Sequence, residues 1–228
     1  MKMPKYFAII PAAGVGSRVS ADCPKQYLTI AGKAMLAHSL AAFKACPLIA
    51  HTFIVVNADD DYIDDVIKND RHVTILRCGG DKRRDTVFNA LNILHDKISD
   101  DDWILVHDAA RPGLTVALIE KLIQQVKVQN GVGGLLAMPV IDTVKRVDKV
   151  GVRTILRDGL WLAQTPQMFS YQLLLRALGL AQDVTDEASA VELLGLAPVL
   201  VEGSLSNFKV THSSDIALAR FFLEGKAS

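Results

Sequence analysis

The feature that most restricts the fold of this chain is a rhythm: short apolar, β-branched runs alternate with stretches spaced for helices. Residues 6–11, Tyr-Phe-Ala-Ile-Ile-Pro, form an apolar run that ends in a glycine-rich turn, the pattern of a buried strand feeding a loop. Residues 35–45 carry helical spacing, 52–56 and 73–76 are β-branched runs, and 84–95 spell a helix with Val87, Leu91 and Leu94 on one face. Residues 103–106 give a fourth strand, 115–129 an amphipathic helix with Ala117, Leu118, Leu122 and Val126 facing inward, and 134–140 a fifth strand. Strands that alternate with helices predict an α/β fold, a Rossmann-like, mostly parallel sheet with helices on both faces. Ligands of such sheets sit at the carboxyl ends of the strands, which directs attention to the loops starting at Pro11, Gly79, His107 and Pro139.

The rhythm breaks at 141–160, where IDTVKRVDKVGVRTILRDGL alternates polar and apolar residues in two short runs around 149–151. This reads as a protruding β-hairpin, either a dimerisation arm or an ordinary peripheral hairpin. Helices follow at 171–181 and 186–194, then a strand near Val199 and a last helix at 214–223. No repeat, linker or low-complexity segment divides the chain, so 1–228 is expected to be one domain with 139–160 as an excursion.

Composition narrows the function classes. Lys plus Arg and Asp plus Glu both number 25, a formal net charge of zero, which argues against a broad basic nucleic-acid surface and leaves room for a small basic pocket. Cys23, Cys46 and Cys78 are widely spaced and form no CxxC pair, so neither a disulfide framework nor a cysteine zinc site is expected, and a reducing compartment fits. No HExxH pattern occurs. The N-terminal MKMPKYFAIIPAAG reads as a first strand and not a signal peptide, and no apolar run approaches the roughly 20 residues needed to span a bilayer. A cytoplasmic protein without nucleic-acid or membrane partners is the expectation.

The first loop, Pro11-Ala12-Ala13-Gly14-Val15-Gly16-Ser17-Arg18, has small residues that let backbone amides approach phosphate oxygens or a base edge. It lacks the Gly-Lys-Ser/Thr ending of a Walker A loop. Val19 stands where a dinucleotide fingerprint needs its third small residue, which disfavours a dehydrogenase. What remains is a glycine loop followed by isolated cations, Arg18 and, behind the stiffening Pro24, Lys25. They read either as a clamp for a triphosphate or as solvated surface charge.

The pattern PAAGVGSR…PKQY is similar to the opening of the methylerythritol phosphate cytidylyltransferases of isoprenoid precursor synthesis. Further segments match in the same order: Gly79-Gly80-Asp81, His107-Asp108-Ala109-Ala110-Arg111-Pro112, Asp142-Thr143-Val144-Lys145-Arg146, Gln164-Thr165-Pro166-Gln167, Thr185-Asp186-Glu187-Ala188-Ser189-Ala190 and Asn207-Phe208-Lys209-Val210-Thr211. Together they span nearly the whole chain.

The resemblance implies a nucleotidyltransferase in which the acceptor's phosphate attacks the α-phosphorus of CTP and pyrophosphate leaves. Such a site must align two repelling anions and neutralise developing charge, a task for cations and amide dipoles more than for a general base. By resemblance the catalytic residues are Arg18, Lys25, Lys209 and Arg157, and the nucleotide is held by Ala12, Ala13, Gly14, Gly80, Asp81, Thr86, Asp108 and Ala109. Cytosine would be read by backbone groups near Ala12, Ala13 and Gly80 with Thr86, a hydroxyl-conserving departure from the family's usual serine, and the ribose by Asp81. Thr143, Arg157, Thr165 and Asp108 would hold the acceptor. Arg157, on the arm, would complete the partner subunit's site in a homodimer with shared active sites. Mg²⁺ would be held mainly by the CTP phosphates, with Asp108 near it and no certain protein ligand.

Simpler readings stand beside these. Asp108 alone could be a turn or cap residue, His107 reads as structural, and Thr185 as N-cap with Glu187 in the first turn explains much of the TDEASA segment. Lys82 and Arg84 beside the family arginine Arg83 read as surface charge. A pentitol-phosphate cytidylyltransferase would share the CTP half, though Leu156–Trp161 and TDEASA favour the methylerythritol form. A binding protein with a decayed site is opposed by the joint presence of Arg18, Lys25, Asp108, Arg157 and Lys209.

Overall fold

The computed structural model describes residues 3–14, 23–68 and 70–225. In chain order these form β1 (Tyr6–Pro11), a 3₁₀ turn (Lys25–Tyr27), the short pair β2 (Thr29–Ile30) and β3 (Lys33–Ala34), α1 (Met35–Ala45), β4 (Ile49–Val56), α2 (Ile63–Val66), β5 (Val73–Arg77), α3 (Arg83–Ile93), β6 (Trp103–Val106), α4 (Val116–Val128) and β7 (Gly133–Pro139). Then come β8 (Val144–Asp148), β9 (Gly151–Ile155), β10 (Trp161–Ser170), α5 (Tyr171–Leu180), α6 (Glu187–Glu192), β11 (Val199–Glu202), a second 3₁₀ turn (Leu205–Asn207) and α7 (Ser214–Glu224).

Seven strands make the central sheet in the order β11-β7-β10-β6-β1-β4-β5. All run parallel except β10, which is antiparallel to both neighbours. The chain leaves β1 toward β4 and β5 on one side, then returns to place β6 on the other, so the carboxyl ends of β1 and β6 flank a topological switch point. Period-2 alternation sends β1 to two cores: Ala8 and Ile10 pack with α1 and α4, while Phe7 and Ile9 pack with α3, α5 and α6. On α4 the inward face is Leu118, Ile119, Leu122, Ile123 and Val126; Ala117, expected inward, is exposed because the buried stripe centres one position further round.

Strand β10 has no counterpart in the sequence reading. It carries Gln164, Thr165, Pro166 and Gln167 in its middle, a polar stretch without strand periodicity, and the register with β7 shifts between Ala163 and Gln167. A proline and buried polar groups are tolerated in a central strand where the ladder is interrupted. The shift sets Thr165 against the end of β6, where its hydroxyl oxygen accepts the Asp108 N–H at 3.1 Å. Strands β8 and β9 form the expected hairpin as a separate antiparallel pair, Val144 opposite Ile155 and Asp148 opposite Gly151. Val147, Val150 and Val152 on it, and Leu156 just after it, are exposed.

Candidate active site

The loops after β1, β4, β5 and β6 close around a cavity of about 440 Å³. Ala12, Ala13 and Gly14 line it from β1, Asn57 from β4, Gly79, Gly80 and Asp81 from β5, and Asp108, Ala109 and Ala110 from β6. Lys25, Gln26, Lys82, Arg83, Thr86 and Lys209 also line it. The loops meet tightly: a Cβ at Gly79 would lie 2.4 Å from Asn57 Oδ1 and 2.5 Å from the Ala13 Cβ, so only glycine lets them close. Two side-chain amides absent from the sequence reading hold the glycine loop. Gln26 Nε2 donates to Ala12 O at 2.6 Å and Asn57 Nδ2 donates to Ala13 O at 2.9 Å, which fixes the two peptide planes. The Gly80 N–H donates to Thr86 Oγ1 at 3.1 Å, so buried Thr86 braces the loop at the start of α3.

Asp108, 7% exposed, is the hub of a charge cluster. Its Oδ1 accepts from Arg83 Nε at 2.7 Å, and its Oδ2 faces Lys209 Nζ at 2.9 Å and Arg111 Nε at 3.6 Å. Burial alone would push the carboxyl up, but Arg83, Lys209 and Arg111 outweigh it and hold the group well below the usual carboxylate range. Arg83 spends its other two nitrogens on Glu187, at 2.7 and 3.0 Å. Burial disfavours the guanidinium's charge, but Glu187 and Asp108 more than compensate, so it holds its proton more firmly than usual. Burial pushes the fully enclosed Glu187 carboxyl up, and the Arg83 fork works against that push.

Beneath Asp108 runs a relay. His107 Nε2 lies 3.1 Å from Arg111 O, which can only accept, so that nitrogen carries the proton. His107 Nδ1 therefore accepts from the Thr165 hydroxyl at 2.8 Å. Burial holds the imidazole neutral, its pKa lowered to about 4. His107 is thus structural, as the sequence suggested.

Lys25 Nζ donates to Val210 O at 2.8 Å, next to Lys209, so lysines from opposite ends of the chain converge on one cavity. Arg18 lies outside the described residues. Thr165 is 4% exposed and sits under Asp108, not in the cavity wall. Thr143 and Arg157 are exposed on and beside the hairpin, away from the cavity lining, with Arg157 Nη1 donating to Ile141 O.

Two smaller expectations change. Asp186, not Thr185, caps α6, its Oδ1 accepting the Ser189 N–H at 3.0 Å, because extended Asp186 is the residue placed to reach the third helical amide. Glu187 does sit in the first turn, but its side chain turns inward to Arg83. Arg84 is not surface charge: it donates to Leu178 O in the last turn of α5 and to Ala181 O just past its end, and lies over Phe88, 4.6 Å from the ring centre. Lys82 pairs with Asp183 at 2.8 Å across side chains 64% and 89% exposed, a contact of little energetic weight.

Known proteins resemble this chain along nearly its whole length. A curated relative from Paraburkholderia phytofirmans, a 2-C-methyl-D-erythritol 4-phosphate cytidylyltransferase, is 50% identical over 234 residues, covering 98% of each chain. One of the same description from Dechloromonas aromatica is 47% identical over 98% of this chain and all of its own. Among solved structures, a 4-diphosphocytidyl-2C-methyl-D-erythritol synthase superposes with a TM-score of 0.86 at 39% identity, covering 98% of this chain and 100% of its own. The Francisella tularensis 2-C-methyl-D-erythritol 4-phosphate cytidylyltransferase superposes at 0.82 and 37%, covering 96% and 99%. The family model described as IspD, 2-C-methyl-D-erythritol 4-phosphate cytidylyltransferase, matches residues 6–225, and the chain belongs to that family.

Proposed function

We propose that this chain transfers CMP from CTP to 2-C-methyl-D-erythritol 4-phosphate, releasing pyrophosphate and forming CDP-methylerythritol for isoprenoid precursor synthesis. The observation that carries the reading is the convergence of Lys25, Lys209 and Asp108 with the glycine loop on one cavity at the switch point. An acceptor phosphate oxygen attacks the α-phosphorus while the bond to the bridging oxygen breaks, and pyrophosphate leaves with the electron pair. The loop backbone at Ala12 to Gly14 and Gly80, braced by Gln26, Asn57 and Thr86, takes the base; Asp81 at the rim takes the ribose. Lys25 and Arg18 grip the triphosphate. Lys209 exchanges Asp108 for the α-phosphoryl oxygens as charge develops there, and Asp108 then faces the acceptor hydroxyls.

A divalent ion fits this site as cargo of the nucleotide. Among the described residues no group of three or more His, Cys, Asp or Glu could cage a metal, and both oxygens of Asp108 already meet cations. Asp108 would lend one oxygen at most to an ion such as Mg²⁺ held by the phosphates, where the ion supplies charge neutralisation.

The acceptor side is completed between subunits of a homodimer. Thr143, Arg157 and the exposed apolar residues of the β8–β9 hairpin lie outside this chain's own cavity lining, the disposition expected of an arm that reaches a partner's site, while Thr165 supports Asp108 from below. The whole of 1–228 then works as one nucleotidyltransferase domain with 139–160 as its arm, in the cytoplasm; among the described residues no helix is long and apolar enough to cross a membrane.

The test is pyrophosphate release with a panel of nucleotides and polyol phosphates. CTP with methylerythritol 4-phosphate should give the highest kcat/KM. A clearly higher value with ribitol 5-phosphate overturns the acceptor, and no turnover with either overturns the enzyme. Mixing Arg157→Ala and Lys25→Ala chains should restore activity through shared sites; mixtures that stay inactive after confirmed subunit exchange contradict sharing.

A further inference from the structure

Helix α6 begins inside the protein. Gln167 pins its first turn to β10, accepting the Ala188 N–H on Oε1 at 2.8 Å and donating from Nε2 to Asp186 Oδ2 at 2.8 Å. The residue so placed, Glu187, is 0% exposed. An acidic residue in a first turn gains from the helix dipole without being buried, so the dipole does not explain this enclosure. A carboxylate taken fully out of water is sustained only by a well-matched cation. Here that cation is Arg83, whose Nη1 and Nη2 both point at Glu187, at 2.7 and 3.0 Å.

The fork has a geometric consequence one residue further on. With two nitrogens committed to Glu187, Arg83 presents Nε to Asp108, and to Oδ1 at 2.7 Å. Asp108 Oδ2 is left on the side of Lys209 and the cavity. Charges alternate along the row Glu187, Arg83, Asp108, Lys209, so each group is held by the next. Without Glu187, a guanidinium prefers to take both oxygens of one carboxylate, and Asp108 is the carboxylate within reach. Asp108 would then be drawn back from the cavity and from the acceptor.

We infer that Glu187 is a positioning residue for the transfer reaction, acting through Arg83 to hold Asp108 with one oxygen turned to the reacting site. The inference deepens the cytidylyltransferase reading and rests on it for the part Asp108 plays toward the acceptor.

Glu187→Gln keeps the side chain's size, removes its charge and turns an amide N–H₂ toward Arg83. The expected result is a fall of at least about 30-fold in kcat/KM for methylerythritol 4-phosphate, within the range for coupled neighbours, with KM for CTP changed less than about threefold. Added to Asp108→Asn, the substitution should cost nothing further, because both act through one carboxylate. A crystal structure of Glu187→Gln should show Arg83 turned to engage both oxygens of Asp108. Activity lost only in proportion to folded protein, with losses that add to those of Asp108→Asn, would overturn the inference. If Glu187→Gln does not fold, Arg83→Lys carries the same kinetic test, since an ammonium cannot make the fork and the Asp108 contact together. A wild-type enzyme that fails to use either acceptor refutes the assigned reaction; the crystal structures then decide Glu187 alone, and an unmoved Arg83–Asp108 contact in the variant refutes its positioning role.

Discussion

Asp108→Asn keeps the shape of the hub and deletes the charge on which three cations converge. The cost follows from what each cation does next. The Lys209 side chain is 43% exposed and can turn its ammonium to water. Arg83 keeps its fork on Glu187. Arg111, 8% exposed, is worst placed: its terminal nitrogens donate to Asn207 O and Ala163 O at 2.8 and 3.2 Å, but its buried Nε has no hydrogen-bond partner among the described residues and faces Asp108 across 3.6 Å. Removing one partner of a fully buried ion pair costs about 3–5 kcal/mol; with two of the three cations compensated elsewhere, about 2 kcal/mol is expected here. For a chain of this size that lowers Tm by roughly 4–8 °C. The same change leaves the cavity one charge more positive, so KM for CTP should hold or fall, while kcat drops by about 10²-fold as the acceptor loses its carboxylate. Thermal unfolding and steady-state pyrophosphate release, each substrate varied in turn, measure both effects. An unchanged Tm with a raised KM for CTP and an unaltered kcat would refute the reasoning, since Asp108 would then be neither the hub of the cluster nor part of the acceptor site.

Three further outcomes are expected. Lys25→Ala should lose on the order of 10²–10³ in kcat, the scale for one transition-state donor, and a change in KM alone would contradict its role. His107 titrates near 6.5 when unfolded and at about 4 when folded, so the unfolded chain binds the proton more tightly. Its contribution to stability, roughly 3 kcal/mol, is full above pH 6.5 and is lost as pH falls through 4; denaturant unfolding across that window should show a slope that flattens in His107→Gln, and an unchanged slope would contradict it. Gly113→Ala should cost about 3 kcal/mol, the upper end for overpacking, because the added Cβ would lie 1.7 Å from the backbone oxygen of Ser206; an unmoved denaturant midpoint would contradict it.

The parts of the fold legible in the sequence are those where one physical pattern dominates. Strands β1 and β6 are bounded by apolar periodicity and a following turn, and the hairpin announces itself by alternation around Gly151. Strand β10 was hidden because its centre is built for the site and not for the core: Gln164, Thr165 and Gln167 are buried but hydrogen-bonded, and polarity in sequence does not distinguish satisfied interior groups from solvated ones. The same blindness hid Glu187, whose position in a first turn gave a sufficient local reason for its charge. Asn57 and Gln26 carried no signal at all, since an isolated amide becomes informative only when the carbonyl it holds is known. Lys25, Lys209 and Asp108, which line one cavity, stand out in the sequence only through ordered motifs; periodicity alone leaves them as ordinary charges.

The central claim is that the cavity at the ends of β1 and β6 receives the triphosphate between Lys25 and Lys209. A crystal structure with CTP bound tests it most directly. The base should lie against the loop at Ala12 to Gly14, with both ammonium groups on phosphate oxygens and Lys209 drawn off Asp108 from its present 2.9 Å. A triphosphate bound elsewhere, with Lys209 still paired to Asp108 and Lys25 still donating to Val210 O, would contradict the account.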